Sequence, residues 1–125
     1  MTENELAKII VNIAFQIHSK IGPGLLESVY EEIMVHELVK LNLQTERQKQ
    51  IPVYWDDLKM DVGFRADILV ENKVIVELES IEAINPVHPK TLLTYLRMTN
   101  LKLGLLINFN EELIKNGMTR IVNNL

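Results

Sequence analysis

The chain has 125 residues, 47% hydrophobic and 24% charged, which suits one folded domain over residues 1–125 and excludes a disordered composition. It has no cysteine, which excludes disulfides and thiolate zinc sites, and its formal net charge of −4 provides no overall attraction for nucleic acid. The sequence shows neither the pattern of a secretion signal nor the ~18 apolar residues of a membrane span, so we expect a cytoplasmic protein.

Two helices are predicted at the start of the chain. Apolar residues at three- and four-residue spacing predict the first over residues 3–20, with Thr2 and Glu5 as its capping box. The segment Gly22-Pro23-Gly24 ends that helix, and a second is expected from about Leu25 to Leu41. The apolar face of the second helix comprises Leu26, Val29, Tyr30, Ile33, Met34, Leu38 and Leu41.

Glu27 falls on this apolar face and has two interpretations. Its carboxylate can favour the positive end of the helix dipole or bond the preceding glycine loop. Alternatively, it points toward the same interior site as Asp67 and Glu77 of the strands that follow. Glu37, near the end of the helix, is expected to pair with a lysine or an arginine.

Three strands are predicted next. The first covers residues 44–55, with a solvated first half and a second half, Ile51, Val53 and Trp55, that enters the core. The second runs from about residue 58 to 70. Its alternation places Val62, Phe64, Ala66, Ile68 and Val70 on one face and Gly63, Arg65, Asp67 and Leu69 on the other.

The remaining elements complete the order from which the fold class is predicted. After the third strand, residues 74–79, come a helix from about Pro89 to Thr99, a buried strand Leu103–Asn108, a short helix Glu111–Lys115 and a final strand Met118–Val122. This order predicts an α/β fold in which helices cover a mixed sheet.

The hairpin register decides whether Asp67 and Glu77 can meet. A two-residue loop at 72–73 would place their side chains on opposite faces, whereas a three-residue loop at 71–73 would pair them. We expect the three-residue loop, because it opposes apolar residues along the two strands and gathers the charges on one face.

Asp67 and Glu77, with Glu27 nearby, form a set of oxygen ligands. Such a set suits Mg²⁺ or Mn²⁺, which could activate water and neutralise charge on a phosphodiester. The alternative is a structural role, in which Arg65 and backbone amides at the strand ends satisfy the carboxylates.

Basic residues provide a weaker signal for nucleic-acid binding. Arg65, His88 and Lys90 are the candidates for contacts with a phosphate backbone. The alternative is that these are scattered, solvated charges, and the three histidines of the chain lack the spacing of metal ligands.

Three segments together carry a family resemblance: GLLESVY at 24–30, GFRADILVENKVIVELES at 63–80 and PVHPKTLLTYLRMTNLKLGLLINFN at 86–110. In spacing and order they resemble the GxxExxY proteins, which are placed in the PD-(D/E)XK nuclease superfamily. The resemblance implies a restriction-endonuclease-like core, a mixed sheet flanked by helices. It also implies that Asp67 and Glu77 are the metal-binding acidic pair and that Glu27 is the helical acid facing them.

Two positions depart from the pattern of that superfamily. Glu79 stands where the superfamily has a lysine, and Thr91 stands where related proteins carry a glutamine, although Tyr95 remains. The lysine positions or deprotonates the attacking water and stabilises the developing charge, and Glu79 reverses its sign. A base recruited from a neighbouring element would be Lys90, Lys73 or Arg65, and Glu79 could alternatively pair with Arg65 across the strands.

The sequence therefore predicts a nuclease-fold protein with weak or absent catalysis that acts by binding a protein partner or a second copy of itself. An active Mg²⁺-dependent nuclease with a relocated basic residue is the second hypothesis, and a structural metal site without a substrate is the third. The active-site positions are Asp67, Glu77, Glu79 and Tyr95.

Overall fold

The order of helices and strands is the one that the sequence predicts. The computed structural model describes residues 1–125, apart from the side chain of Val62. The elements are α1 (Glu3–Ile21), α2 (Glu27–Lys40), β1 (Thr45–Trp55), β2 (Leu58–Val70), β3 (Val74–Glu79), α3 (Val87–Thr99), β4 (Leu103–Asn108), a 3-10 helix (Ile114–Gly117) and β5 (Met118–Val122). The short last helix begins three residues later than expected.

One mixed sheet of five strands forms the centre of the molecule, with strand order β1-β2-β3-β4-β5. The β3 and β4 strands are parallel and are joined by α3, while the other neighbouring pairs are antiparallel. The buried side chains form two clusters, one joining α1 and α2 to one face of the sheet and one joining α3 to the other. The prediction of a mixed sheet flanked by helices is therefore confirmed.

The first helix has the cap and the apolar face that its sequence indicates. Thr2 and Glu5 form the capping box, which satisfies two backbone N–H groups at the helix start. The inward face buries Leu6, Ala7, Ile10, Ile13, Ala14 and Ile17. None of the helices that the structure describes is both long and apolar enough to cross a membrane.

The second helix is shorter than predicted, and its apolar face is correspondingly narrower. Leu26 is the residue before the helix and is 74% exposed, and Leu41 follows the helix and is also exposed, so placing both on the buried face was wrong. Within the helix, Glu31 is only 4% exposed and takes a position among the buried residues. Glu37 pairs with Lys40 at 2.9 Å, as expected for an acid near the helix end.

Tyr30 fixes the loop between α1 and α2. Its hydroxyl donates to the carbonyl oxygen of Gly22 at 2.7 Å and accepts from the N–H of Leu25 at 3.1 Å. Its ring is fully buried and stacks on Phe109 with 4.3 Å between the centroids. The loop passes through Gly24 at φ +102°, a conformation that residues with a Cβ rarely adopt.

The predicted face assignment of β2 is wrong in part. Phe64 and Ala66 pack with the α3 cluster, whereas Ile68 and Val70 pack under α1 and α2. The prediction for Val62 concerns a side chain outside the part that the structure describes. A strand that keeps strict alternation would present all these residues to one face, so the backbone changes face between Ala66 and Ile68.

An irregularity in β1 accompanies this change of face. Gln48 has φ +51°, in the left-handed region, and it lies between two regular pairs of the β1–β2 ladder. A residue in this conformation inside a strand disturbs the pleat, because its side chain no longer follows the alternation of its neighbours. Gln48 and Asp67 are the residues that lie between these two pairs on their strands.

The far end of the β1–β2 hairpin extends beyond the rest of the sheet. The pairs between β2 and β3 involve only residues 68–70 of β2. Ile51 and Val53 are partly buried, but Trp55 is 71% exposed, so the prediction that it enters the core was wrong.

We predict that Tyr30→Phe lowers the free energy of unfolding by about 1–2 kcal/mol, because a carbonyl and an N–H lose their hydrogen-bond partner while the ring stacking remains. Urea unfolding followed by circular dichroism measures this change. Tyr54→Phe, at an exposed position, is the matched control and should change stability by less than about 0.5 kcal/mol. Equal effects of the two substitutions would contradict the anchoring role of the hydroxyl.

Candidate functional site

The β2–β3 hairpin brings Asp67 and Glu77 together. It has the three-residue loop that the sequence predicts, because Val70 pairs with Val74. The regular pairs end just before Asp67 and Glu77, and the backbone N–H of Leu78 donates to Asp67 Oδ2 at 2.9 Å. The carboxylate of Asp67 thus occupies the place of a strand carbonyl at the point where β2 leaves β3.

Glu77 is the carboxylate whose burial is not compensated. Its Oε1 is buried and has no hydrogen-bond partner among the residues that the structure describes. The pKa of Glu77 is raised to about 9, chiefly by burial and next by the charge of neighbouring Asp67. A structural role therefore accounts for Asp67, which bonds a backbone amide, but it leaves Glu77 unexplained.

Glu79, the last residue of β3, lies beside Glu27, the first residue of α2. The pKa of Glu79 is raised to about 7, chiefly by burial and next by the charge and the hydrogen bond of Glu27. Arg65 is exposed and forms no ion pair among the described side chains, so the alternative in which it pairs with Glu79 is not observed. Glu79, at the position where the resemblance implies a lysine, is therefore one of two neighbouring carboxyl groups.

The four acids form two pairs, Asp67 with Glu77 and Glu27 with Glu79. Within the described part of the chain, no group of three acidic or histidine side chains has the geometry of a metal site. Glu27 as a third ligand thus remains a prediction. The two-carboxylate pair alone fits Mg²⁺ or Mn²⁺, which take one or two carboxylates and keep several waters, and the partnerless oxygen of Glu77 is a donor of the required type.

A cleft of about 160 Å³ opens between β3 and α3 next to the acids. Its polar lining includes Glu77, Glu79, His88, Thr91 and Tyr95. The N–H of the preceding loop at residue 85 donates to His88 Nδ1 at 3.2 Å, so the neutral ring carries its proton on Nε2. Among the described residues that line this cleft, His88 is the one basic side chain.

The other basic candidates lie elsewhere. Lys90 and Arg65 are exposed and are not among the described residues that line this cleft. Lys73 is at the opposite end of β3 from Glu79, where its ammonium group donates to the carbonyl oxygen of Met1. None of these three is placed where it could replace the missing lysine.

Tyr95 projects from α3 toward the acidic pair. Its ring stacks on Phe64 with 3.7 Å between the centroids. Burial raises the pKa of Tyr95, and the charges of Glu77 and Asp67 act in the same direction. The phenol therefore stays protonated and can donate a hydrogen bond into the cleft.

Sequence reasoning missed Asn108, which shapes the end of β3. This residue is fully buried, pairs with Glu79 in the β3–β4 register, and bonds the backbone of Ile81 through both ends of its amide, at 3.2 and 3.0 Å. It therefore fixes the chain that leaves Glu79. The available signal was a polar residue closing an otherwise apolar strand, LGLLIN.

Comparison with known proteins finds a family model that matches this chain. The model of the PD-(D/E)XK nuclease superfamily matches residues 4–121. Neither the curated proteins nor the solved structures contain a significant match to the chain. The family match spans α1 to β5 and includes all four acids.

We predict that Glu77→Gln stabilises the protein in EDTA by about 1–3 kcal/mol at pH 8 and leaves it unchanged near pH 4. The folded protein retains the proton of Glu77 while the unfolded chain loses it, so stability falls as pH rises from about 4.5 to about 9. The glutamine removes that pH dependence. Urea unfolding at several pH values measures this pH dependence. If Glu77→Gln is less stable than wild type at pH 8, the buried carboxyl group of Glu77 does not destabilise the folded protein.

Proposed function

Because the chain belongs to the PD-(D/E)XK nuclease superfamily, we propose that it is a GxxExxY-type member that binds a divalent cation at Asp67 and Glu77 and acts through binding. Cleavage of phosphodiesters is weak or absent. The observation that carries this proposal is the Glu27–Glu79 carboxyl pair at the place of the catalytic lysine.

The roles of the motif residues support the GxxExxY assignment. Gly24 supplies the positive φ of the loop before α2, and Tyr30 holds that loop through its hydroxyl. Glu27 begins the helix and is therefore presented toward the end of β3, where Glu79 lies. The three residues that define the motif thus act together to place one carboxylate at the edge of the site.

The donor set supports cation binding. Asp67 is held by the Leu78 amide, and Glu77 offers a buried oxygen without a partner. A bound Mg²⁺ or Mn²⁺ would supply positive charge to these carboxylates, polarise a phosphate oxygen and lower the pKa of a bound water. The chain itself contributes the fixed carboxylate of Asp67, the buried carboxyl group of Glu77 and the hydrogen-bond donor of Tyr95.

The charge at Glu79 argues against efficient catalysis. A phosphorane-like transition state gains negative charge, which a lysine stabilises and a carboxylate opposes. Loss of one such stabilising group typically costs about 10² to 10³ in rate. Glu27 lies beside Glu79, so this position presents two carboxyl groups and no positive charge to an approaching phosphate.

The partner that we propose is a protein. The hairpin tip exposes large apolar side chains, whereas a net charge of −4 disfavours a nucleic-acid partner. The exposed side chains at this tip are Tyr54, Trp55, Leu58 and Met60.

We expect purified protein to leave single- and double-stranded DNA and RNA intact in Mg²⁺ or Mn²⁺, and Glu79→Lys to create cleavage at least about 10-fold above background. Glu82→Lys, an equal charge change at an exposed position, is the matched control and should not create cleavage. Wild-type cleavage that disappears in Asp67→Ala would overturn the inactive assignment.

The alternative function is an active Mg²⁺-dependent nuclease, and one observation favours it: His88 lines the same cleft as Glu77 and Glu79. An imidazole there can replace the lysine as the group that handles the proton of water. In that case wild-type cleavage falls at least about 100-fold in His88→Ala and persists in His36→Ala, an exposed histidine of α2.

A further inference from the structure

The side chain of Gln48 bridges two carboxylates. Its Nε2 lies 2.8 and 3.0 Å from the two oxygens of Glu31 and 3.3 Å from Asp67 Oδ1. An amide NH₂ group has two hydrogens, so one serves Glu31 and the other serves Asp67. The donor capacity of the amide is thus used in full on α2 and β2.

The two oxygens of Asp67 are consequently both held. Oδ2 accepts from the backbone N–H of Leu78 at 2.9 Å, and Oδ1 accepts from Gln48. Each carboxylate oxygen has more than one lone-pair direction, so both can still face a cation. Two donors from different strands fix the rotation of this carboxylate.

Glu31, which accepts hydrogen bonds from Gln48, is itself held in place. It is 4% exposed, and Arg47 Nε donates to its Oε1 at 2.7 Å, which compensates the buried charge. Arg47 also donates to the carbonyl oxygen of Ser28 at 3.3 Å. The carboxylate of Glu31 therefore cannot turn away without leaving buried charge unpaired.

The backbone of Gln48 supports a specific role for its side chain. An ion pair between Glu31 and Arg47 would join α2 to β1 without it, yet Gln48 adopts φ +51°, a conformation that is costly for a residue with a Cβ. That conformation coincides with the change of face in β2 at Asp67. Because Arg47 already compensates Glu31, the strained backbone of Gln48 is explained by the second carboxylate that its side chain reaches, that of Asp67.

We propose that Glu31 and Gln48 are positioning residues, which hold the carboxylate of Asp67 in the orientation that the cation site uses. The consequence for metal affinity rests on the proposed cation binding, whereas the fixed orientation of Asp67 is a property of the metal-free chain. Residues that orient metal ligands typically contribute 10- to 100-fold in affinity.

The first measurement uses ¹⁵N-labelled, metal-free full-length protein. In Gln48→Leu the Asp67 carboxylate gains rotational freedom, so the Leu78 amide proton should shift upfield and exchange with solvent at least about 10-fold faster. Gln50→Leu, at an exposed neighbouring position of β1, is the matched control and should leave the Leu78 amide unchanged. An unchanged Leu78 amide in Gln48→Leu overturns the proposal.

A second pair of variants separates the side chain from the backbone. Gln48→Gly accepts the left-handed φ and removes the amide, so it should reproduce the Leu78 change of Gln48→Leu in a folded chain. Glu31→Gln keeps a hydrogen-bonding group and should change the Leu78 amide less than Glu31→Leu does. A Gln48→Gly protein with a wild-type Leu78 amide would assign the effect to the backbone and overturn the proposal.

Mn²⁺ titration, followed by electron paramagnetic resonance, tests the consequence for binding. We expect Gln48→Leu to weaken Mn²⁺ binding by about 10- to 100-fold and Gln50→Leu to leave it unchanged. Equal Mn²⁺ affinity of Gln48→Leu and wild type overturns the positioning role. If wild type does not bind Mn²⁺, the proposed cation function fails, and the Leu78 amide alone decides whether Gln48 holds Asp67.

Discussion

The separation of β2 from β3 beyond Ile68 is the constraint on which the site depends. If β2 and β3 continued to pair, the N–H of Leu78 would bond a backbone carbonyl of β2. No gap would then open between the two strands at Asp67 and Glu77. Instead that N–H is met by the Asp67 side chain, and Glu77 keeps a buried oxygen without a partner in the described chain. Because an uncompensated carboxyl costs stability at neutral pH, such a residue is explained better by a ligand than by folding.

Helix α2 sets the surroundings of this opening from outside the sheet. Glu27 and Glu31 are one turn apart on the helix, and Tyr30 fixes the loop that begins it. Glu27 reaches Glu79 at the end of β3, while Glu31 reaches Asp67 through Gln48. A single helix thus holds both carboxyl pairs at a defined separation, so a shift of α2 would alter both together.

The sequence pattern predicted those features of the fold that depend on interactions between residues close together in the chain. The hairpin register followed from opposing apolar residues, since a slip by one residue moves every side chain to the other face. The contact of Gln48 with Asp67 was not predicted, because alternating polar residues in a strand are typical of a solvated strand. Its positive φ was not predicted either, because the sequence does not mark such a conformation at a glutamine. Burial of Glu31 likewise depends on Arg47, sixteen residues away, and only the assembled fold brings the two together.

Glu79, at the position where the resemblance implies a lysine, affects the charge balance of the site. A lysine there would offset the charge of one of the three nearby carboxylates and leave a site better able to admit a phosphate. With Glu79 the same space contains four carboxyl groups, and protonation of Glu77 and Glu79, whose pKa values are raised, relieves the repulsion in the metal-free protein. A divalent cation relieves the same repulsion without protons. Under the proposed function, the acidic pair of β2 and β3 would hold a cation, and β3 carries Glu79 instead of a basic group that would direct that cation against a phosphodiester.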